Sequence, residues 1–143
     1  MESSSSDIVL LTPGRLAGTV AAPPSKSAAH RAILCAALSA FSGNGSCFVH
    51  PLAASEDITV TLEAAKALGC SVIRKQDGAL ISPAGGTADG KKVSSPLTID
   101  CGESGSSLRF LIPIAAALGI PAKFIGRGRL PQRPIGLYKE LLP

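Results

Sequence analysis

The sequence predicts an α/β fold made of repeated β-α-β-α-β-β units with buried helices, the last unit incomplete. Three observations carry this. Two bodies, Ala32 to Leu38 and Phe110 to Leu118, are apolar on every side and follow polar, cationic starts, the pattern of buried rather than surface helices. Short strand-like runs alternate with them, among them Cys70 to Arg74 and Ala79 to Ser82 around a turn containing Asp77-Gly78, a hairpin signal. The order of elements then begins again. At an offset of 78 residues Arg31 falls on Arg109, Ser27 on Gly105 and Ser55 on Arg133, a repeat weak in identity but clear in order.

In chain order, Ile8 to Thr12 and Arg15 to Ala22 read as short strands around a Pro13-Gly14 turn. Pro23-Pro24 stops them, and a helix runs from about Ser25 to Ala40 with Ser25 or Ser27 as its cap. Ser42-Gly43-Asn44-Gly45 closes it, and Cys47 to His50 is a strand. Ser55 caps a helix over 55–68, with Glu56 and Asp57 in its first turn, Lys66 in its last and Gly69 as its stop. Residues 84–96 are a loop after the hairpin. Leu97 to Cys101 is a strand, and Gly102 to Arg109 is a second polar helix start. Pro113 implies a bend or a late start in the apolar body that follows, and Gly119 ends it. Ala122 to Ile125 is a strand, Gly126 to Arg129 a basic loop, and Pro134 suits the first position of a helix toward Leu142. The second unit lacks its two closing strands, which predicts a fragment ending mid-unit, with apolar surface meant for further sequence.

Composition narrows the function. Of 143 residues 45% are hydrophobic but only 3% aromatic, so small aliphatic side chains must fill the core. The net charge of +4 is spread out. With no aromatic platform and no basic run, nucleic acid is not favoured as a partner, and small anionic ligands fit better. Cys35, Cys47, Cys70 and Cys101 show no CxxC spacing, and neither His30 nor His50 has metal-ligand spacing. They read as free, mostly buried thiols in a reducing compartment. Residues 1–6 are a polar, Ser-rich end. With no secretory pattern and no apolar span of about 20 residues, the expected location is the cytoplasm, without membrane contact.

The helix start at residue 25 runs against dipole preference. Cations at a helix N-terminus cost roughly 0.3–1 kcal/mol each, yet Lys26, His30 and Arg31 crowd there, while the helix from Ser55 has acids in its first turn, as the dipole favours. An anion held on the exposed first turn accounts for the reversal. Ser27 to Arg31 and Gly105 to Arg109 are both four residues apart. Long helical side chains lean toward the N-terminus, so each Arg can reach an anion over its own helix end. Gly105, without a Cβ, lets its N–H approach a ligand oxygen. Arg133, directly before Pro134, offers a bidentate donor at a third predicted helix start. Neither GxGxxG nor GxxxxGK[ST] is present.

Together, Pro24-Ser25-Lys26-Ser27-x-x-His30-Arg31, Glu103-Ser104-Gly105-Ser106-Ser107-Leu108-Arg109 and Arg129-Leu130-Pro131-Gln132-Arg133-Pro134-Ile135-Gly136 resemble the N-terminal third of the 5-enolpyruvylshikimate-3-phosphate synthases (3-phosphoshikimate 1-carboxyvinyltransferases). The likeness spans nearly the whole chain after residue 7, and the S-K-S-x-x-x-R and R-P-I-G segments are specific in combination. It implies two domains, each an inside-out α/β barrel of three β-α-β-α-β-β units, with substrates between them. Residues 1–21 would be strands starting in the other domain, and 22–143 about one and two-thirds units of the first substrate-binding domain.

The resemblance also implies roles. Lys26 would contact both substrates and act on the chemistry. Ser27 and Arg31 would hold shikimate-3-phosphate, while Gly105, Arg133 and Arg109 would hold phosphoenolpyruvate. No metal or organic cofactor is implied. Many members have Asn in place of Glu103, and three dispositions are open for this acid: facing away, pairing with Arg129 or Arg133, or marking a subgroup. The family's proton-transfer residues and the serines that grip the shikimate phosphate lie in later sequence, so the chain alone is expected to be inactive and to depend on a missing C-terminal part. A UDP-N-acetylglucosamine carboxyvinyltransferase would be expected to show a Lys-Asn pair instead of Lys26-Ser27. A non-enzymatic phosphate- or RNA-end-binding module on the same repeats is the rival of a different class.

Overall fold

A computed structural model describes residues 9–84 and 96–142. Its elements are α1 (Lys26–Phe41), β1 (Cys47–Val49), α2 (Glu56–Ala67), β2 (Cys70–Arg74), β3 (Ala79–Pro83), β4 (Leu97–Asp100), α3 (Gly105–Ala117), β5 (Ala122–Ile125), a 3-10 turn (Leu130–Gln132) and α4 (Gly136–Leu141). The predicted loop at 84–96 lies mostly outside the described residues.

Two sheets form. In one, β3 lies between β1 and β2 and is antiparallel to both. The β2–β3 hairpin turns through the predicted Asp77-Gly78, where the Lys75 N–H donates to the Gly78 carbonyl at 2.9 Å. In the other, β4 and β5 run parallel, with Leu97 opposite Ala122 and Asp100 opposite Ile125. A parallel pair requires a crossover, and α3 provides it.

The core has two parts that share α1 and α2. Ile33, Ala37, Ile58, Leu62 and Ala65 pack with Ala79 and Ile81 against the first sheet. Leu34, Ala64 and Leu68 face the opposite way and pack with Ile99, Leu108, Leu111 and Leu130. Burying each large aliphatic contributes about 1.5–3 kcal/mol. Packing on both sides is why these helices lack a single apolar stripe. Even so, α1 is not buried all round: Ala28, Ala32 and Cys35 stay exposed. Cys70 and Cys101 are buried, Cys47 is half-buried, and all four thiols are free.

The structure departs from the sequence reading in three places. Residues 9–22 contain no strand. Strands need a neighbour for their backbone hydrogen bonds, and this segment has none among the described residues. Its Val9, Leu10, Leu11, Leu16 and Val20 are exposed. Secondly, α3 starts at Gly105 and runs through Pro113 without a break. Pro113 cannot donate to the carbonyl of Arg109; the Tyr138 hydroxyl on α4 donates to it instead, at 3.0 Å. Thirdly, Pro134 does not open a helix. Arg133, ahead of a proline, is extended, with φ −71° and ψ 136°, and α4 begins at Gly136 behind Ile135.

Candidate functional site

The first turns of α1, α2 and α3 come together. Ser25 caps α1 by accepting from the Ala28 N–H at 3.3 Å, Ser55 caps α2 from Ile58 at 3.2 Å, and Ser104 caps α3 from Ser107 at 3.3 Å. No acid lies in the first turn of α1 or of α3, whereas α2 has Glu56 and Asp57 there. The predicted four-residue reach is present. One Arg31 nitrogen donates to the Ser27 carbonyl at 3.0 Å and to its hydroxyl at 2.7 Å. Arg109 donates to the Gly105 carbonyl at 3.4 Å.

The acid of α2 meets the cation of α1: Lys26 donates to, and pairs with, the Asp57 carboxylate. That bond holds the Asp57 carboxyl below its ordinary range, aided by a hydrogen bond from Ser104, the cap of α3. A buried polar chain continues from there. The Ser107 hydroxyl donates to Ser104 Oγ at 2.8 Å and lies 3.0 Å from Thr61 Oγ1. Thr61 donates to the Asp57 carbonyl at 2.9 Å, and His30 Nδ1 lies 2.7 Å from Thr61 Oγ1. His30 and Thr61 thus share one buried hydrogen bond, and His30 Nε2 is buried with no partner among the described residues.

His30 is therefore not a third first-turn cation, as the sequence suggests. It is only 2% exposed, and burial lowers its pKa, which keeps the ring neutral. Thr61, Ser104 and Ser107 are buried with it. The sequence reading missed the roles of Asp57, Thr61, Ser104 and Ser107. A serine three residues after the cap Ser104 was a visible signal; the link to Thr61, 46 residues away, was not.

Gly105, Arg109 and Arg133 form the second cluster. A Cβ on Gly105 would stand 3.0 Å from an Arg109 nitrogen and 3.3 Å from the Arg133 guanidinium carbon, and still closer to Arg133 Nη1. Both guanidinium groups therefore lie on the bare backbone that opens α3. The N–H groups of Gly105 and Ser106 have no partner among the described residues. Arg133 reaches this place from the end of the 3-10 turn, where its own N–H bonds to Leu130 at 3.0 Å. It does not start a helix of its own, as the sequence predicts.

Arg31 stacks over Phe110 at 5.7 Å from the ring centre, which links the α1 side of the site to α3. Lys26 meets α3 through Asp57 and Ser104, one residue from Gly105. The six predicted residues thus fall into Lys26, a Ser27–Arg31 pair and a Gly105–Arg109–Arg133 cluster, joined at the α3 start. A cleft of about 410 Å³ opens beside Arg133, lined by Leu108, Ile112, Phe124, Leu130 and other apolar groups. It does not include Lys26, Arg31 or Gly105, so it is not where the cations converge. Glu103 packs its carboxylate against Gly128 and has no ion pair with Arg129 or Arg133. Arg127 instead pairs with Glu56 and lies 4.0 Å from Asp100. No helix among the described residues is long and apolar enough to cross a membrane.

Comparison with known proteins gives one family. The family model for EPSP synthase (3-phosphoshikimate 1-carboxyvinyltransferase) matches residues 10–142. The 3-phosphoshikimate 1-carboxyvinyltransferase of Clostridium beijerinckii is 44% identical over 133 residues, which is 90% of this chain and 29% of that protein. That of Clostridium perfringens strain SM101 is 43% identical over 93% of this chain and 30% of its own length. Among solved structures, EPSP synthase from Acinetobacter baumannii matches with a TM-score of 0.66 at 26% identity, over 86% of this chain and 26% of that one. The chain spans about 30% of the length of these curated relatives. The described residues form two open sheets around shared helices rather than a closed barrel, as expected of part of that fold. A family match over nearly every described residue, on a scaffold that gathers cations at the start of α3, leads to one conclusion: the chain belongs to the EPSP synthase family.

Proposed function

We propose that this chain supplies part of the active site of a 3-phosphoshikimate 1-carboxyvinyltransferase of aromatic amino acid biosynthesis, working in the cytoplasm on two small anions. The enzyme moves the enolpyruvyl group of phosphoenolpyruvate to the 5-hydroxyl of shikimate-3-phosphate. The hydroxyl adds to C2 as C3 takes a proton; the tetrahedral adduct then loses a C3 proton and expels phosphate. Arg109, Arg133 and the Gly105 N–H hold the phosphoenolpyruvate. Ser27 and Arg31 hold shikimate-3-phosphate, and Lys26 lies between the two. Fixed cations and N–H groups stabilise the charge that develops in the adduct. Residues 1–21 belong with a second domain, and 22–143 form one and two-thirds units of the first. The chain alone carries no turnover.

The observation that carries this reading is the convergence of Arg109 and Arg133 on a glycine at a helix start. Two guanidinium groups side by side repel each other unless an anion joins them. The test is a chimaera in which this chain replaces the matched segment of the Clostridium beijerinckii protein. Product should form from phosphoenolpyruvate and shikimate-3-phosphate, and Arg133→Ala should raise the KM for phosphoenolpyruvate at least tenfold. A folded chimaera without product, or one indifferent to Arg133→Ala, would refute the proposal.

A further inference from the structure

We infer that Asp57 is a positioning residue: it holds the Lys26 ammonium over the place where α1, α2 and α3 begin, so that the lysine meets its anions already oriented. The inference rests on the function proposed above. It starts from an oddity of α2. An acid in a first turn is ordinary, since it faces the positive end of its own helix. Asp57 does more than that. Its carboxylate pairs with a lysine on another helix, 31 residues earlier in the chain.

Three features set this pair apart from a solvated surface ion pair. Its carboxylate side is sheltered, with the Asp57 side chain 27% exposed against 54% for Lys26. The neighbouring Arg127–Glu56 pair is 59% and 62% exposed. Asp57 is also held from its far side, through Thr61 on its carbonyl and Ser104 on its carboxylate. Thr61 and Ser104 are themselves bonded to buried Ser107, and Thr61 to His30. The carboxylate thus meets Lys26 of α1 and the cap of α3, while the backbone that carries it is fixed within α2. Finally, the partner is the type of side chain that most needs holding. Lysine is a point charge on a four-carbon stem with much rotamer freedom. Its ammonium has three donors, so one bond to Asp57 leaves two for ligands. Asp57 touches no reacting atom in this scheme; it acts through Lys26.

The test has two arms. In the 143-residue chain, 15N NMR of the lysine ammonium groups should show a slowly exchanging Lys26 signal, assigned by its loss in Lys26→Met. Asp57→Asn should abolish that signal and Asp57→Glu should retain it. In the active chimaera, assayed well below the melting temperature of every variant, Asp57→Asn should lower kcat/KM for phosphoenolpyruvate about tenfold, and Asp57→Glu should recover part of the loss. On a Lys26→Met background, Asp57→Asn should change kcat/KM less than twofold, because the interaction it supports is already gone. A Lys26 signal unmoved by Asp57→Asn, or a full tenfold penalty on the Lys26→Met background, would overturn the inference. A folded wild-type chimaera that makes no product would defeat the proposed function instead, and the NMR arm would still decide whether Asp57 holds Lys26.

Discussion

Replacing Gly105 by alanine separates binding from stability more sharply than any other change at this site. The new Cβ would stand 3.3 Å from the Arg133 guanidinium carbon and 3.0 Å from an Arg109 nitrogen, and inside contact distance of Arg133 Nη1. Non-bonded carbon atoms prefer about 3.5–4.0 Å, so the Arg133 head must retreat by roughly 1 Å. That retreat is cheap for the fold, because the obstructing atoms end a flexible side chain. Alanine is also the better helix former, by up to about 1 kcal/mol. Binding has no such slack. A shift of about 1 Å in a positioning group can cost on the order of 100-fold, and the methyl group also covers the Gly105 N–H. Gly105→Ala should therefore leave the urea midpoint of the chain unchanged or slightly raised. In the chimaera it should raise the KM for phosphoenolpyruvate between 10- and 100-fold, about 1.4–2.8 kcal/mol. An unchanged KM would show that Arg133 and Gly105 do not share an anion. A lower urea midpoint would show that the glycine serves the backbone instead.

Other consequences can be checked on the chain itself. The His30 pKa is lowered by burial, so between the ordinary value near 6.5 and the lower folded value the unfolded state binds more protons. Stability should then fall with pH below about 6.5, by at most about 1.4 kcal/mol per unit, and His30→Asn should flatten urea midpoints across that window. The Asp57 pKa is also lowered, so its contribution is present above the ordinary carboxylate value near 3.8 and lost as pH falls through the folded one. Asp57→Asn should remove that part of the acid transition. Tyr138→Phe takes away the donor that serves the Arg109 carbonyl, 3.0 Å away, and should cost about 1–3 kcal/mol by urea denaturation. Burial pushes the Cys101 thiol up to about 11, and Cys35 is exposed. A thiol reagent at pH 8 should label Cys35 in the native chain and Cys101 only on unfolding.

Local order was legible in the sequence where local chemistry decides it. Ser25 and Ser55 cap their helices as predicted, and Asp77-Gly78 turns a hairpin. The misreadings have a common cause: a partner distant in sequence decides the outcome. Residues 15–22 have strand composition, but composition supplies no neighbour to pair with. Pro113 suggests a late start to the helix, yet α3 begins at Gly105, and Tyr138, 25 residues later, satisfies the carbonyl that the proline frees. His30 stands between Lys26 and Arg31 and reads as a third cation, yet its ring turns inward to Thr61. Arg133 was placed at the site for the wrong local reason. It arrives from an extended residue before a proline, not from a helix start of its own.

The repeat itself explains why two similar helix starts would serve different anions. Arg31 and Arg109 are 78 residues apart, but the caps Ser25 and Ser104 are 79 apart. Arg109 therefore stands one position nearer its cap than Arg31 does. One residue on a helix is a rotation of about 100° and a rise of about 1.5 Å, enough to send the two guanidinium groups to different places. Arg109 stays over its own helix start, where Arg133 joins it above Gly105. Arg31 reaches Ser27 and leans across to the Phe110 ring on α3. A repeat copied without that slip would have produced two equivalent anion sites. With it, the α3 start gathers paired guanidinium groups around bare backbone, suited to a compact phosphate or carboxylate. The α1 start presents one arginine, a hydroxyl and a lysine held by Asp57, suited to a ligand with both hydroxyl and acid groups.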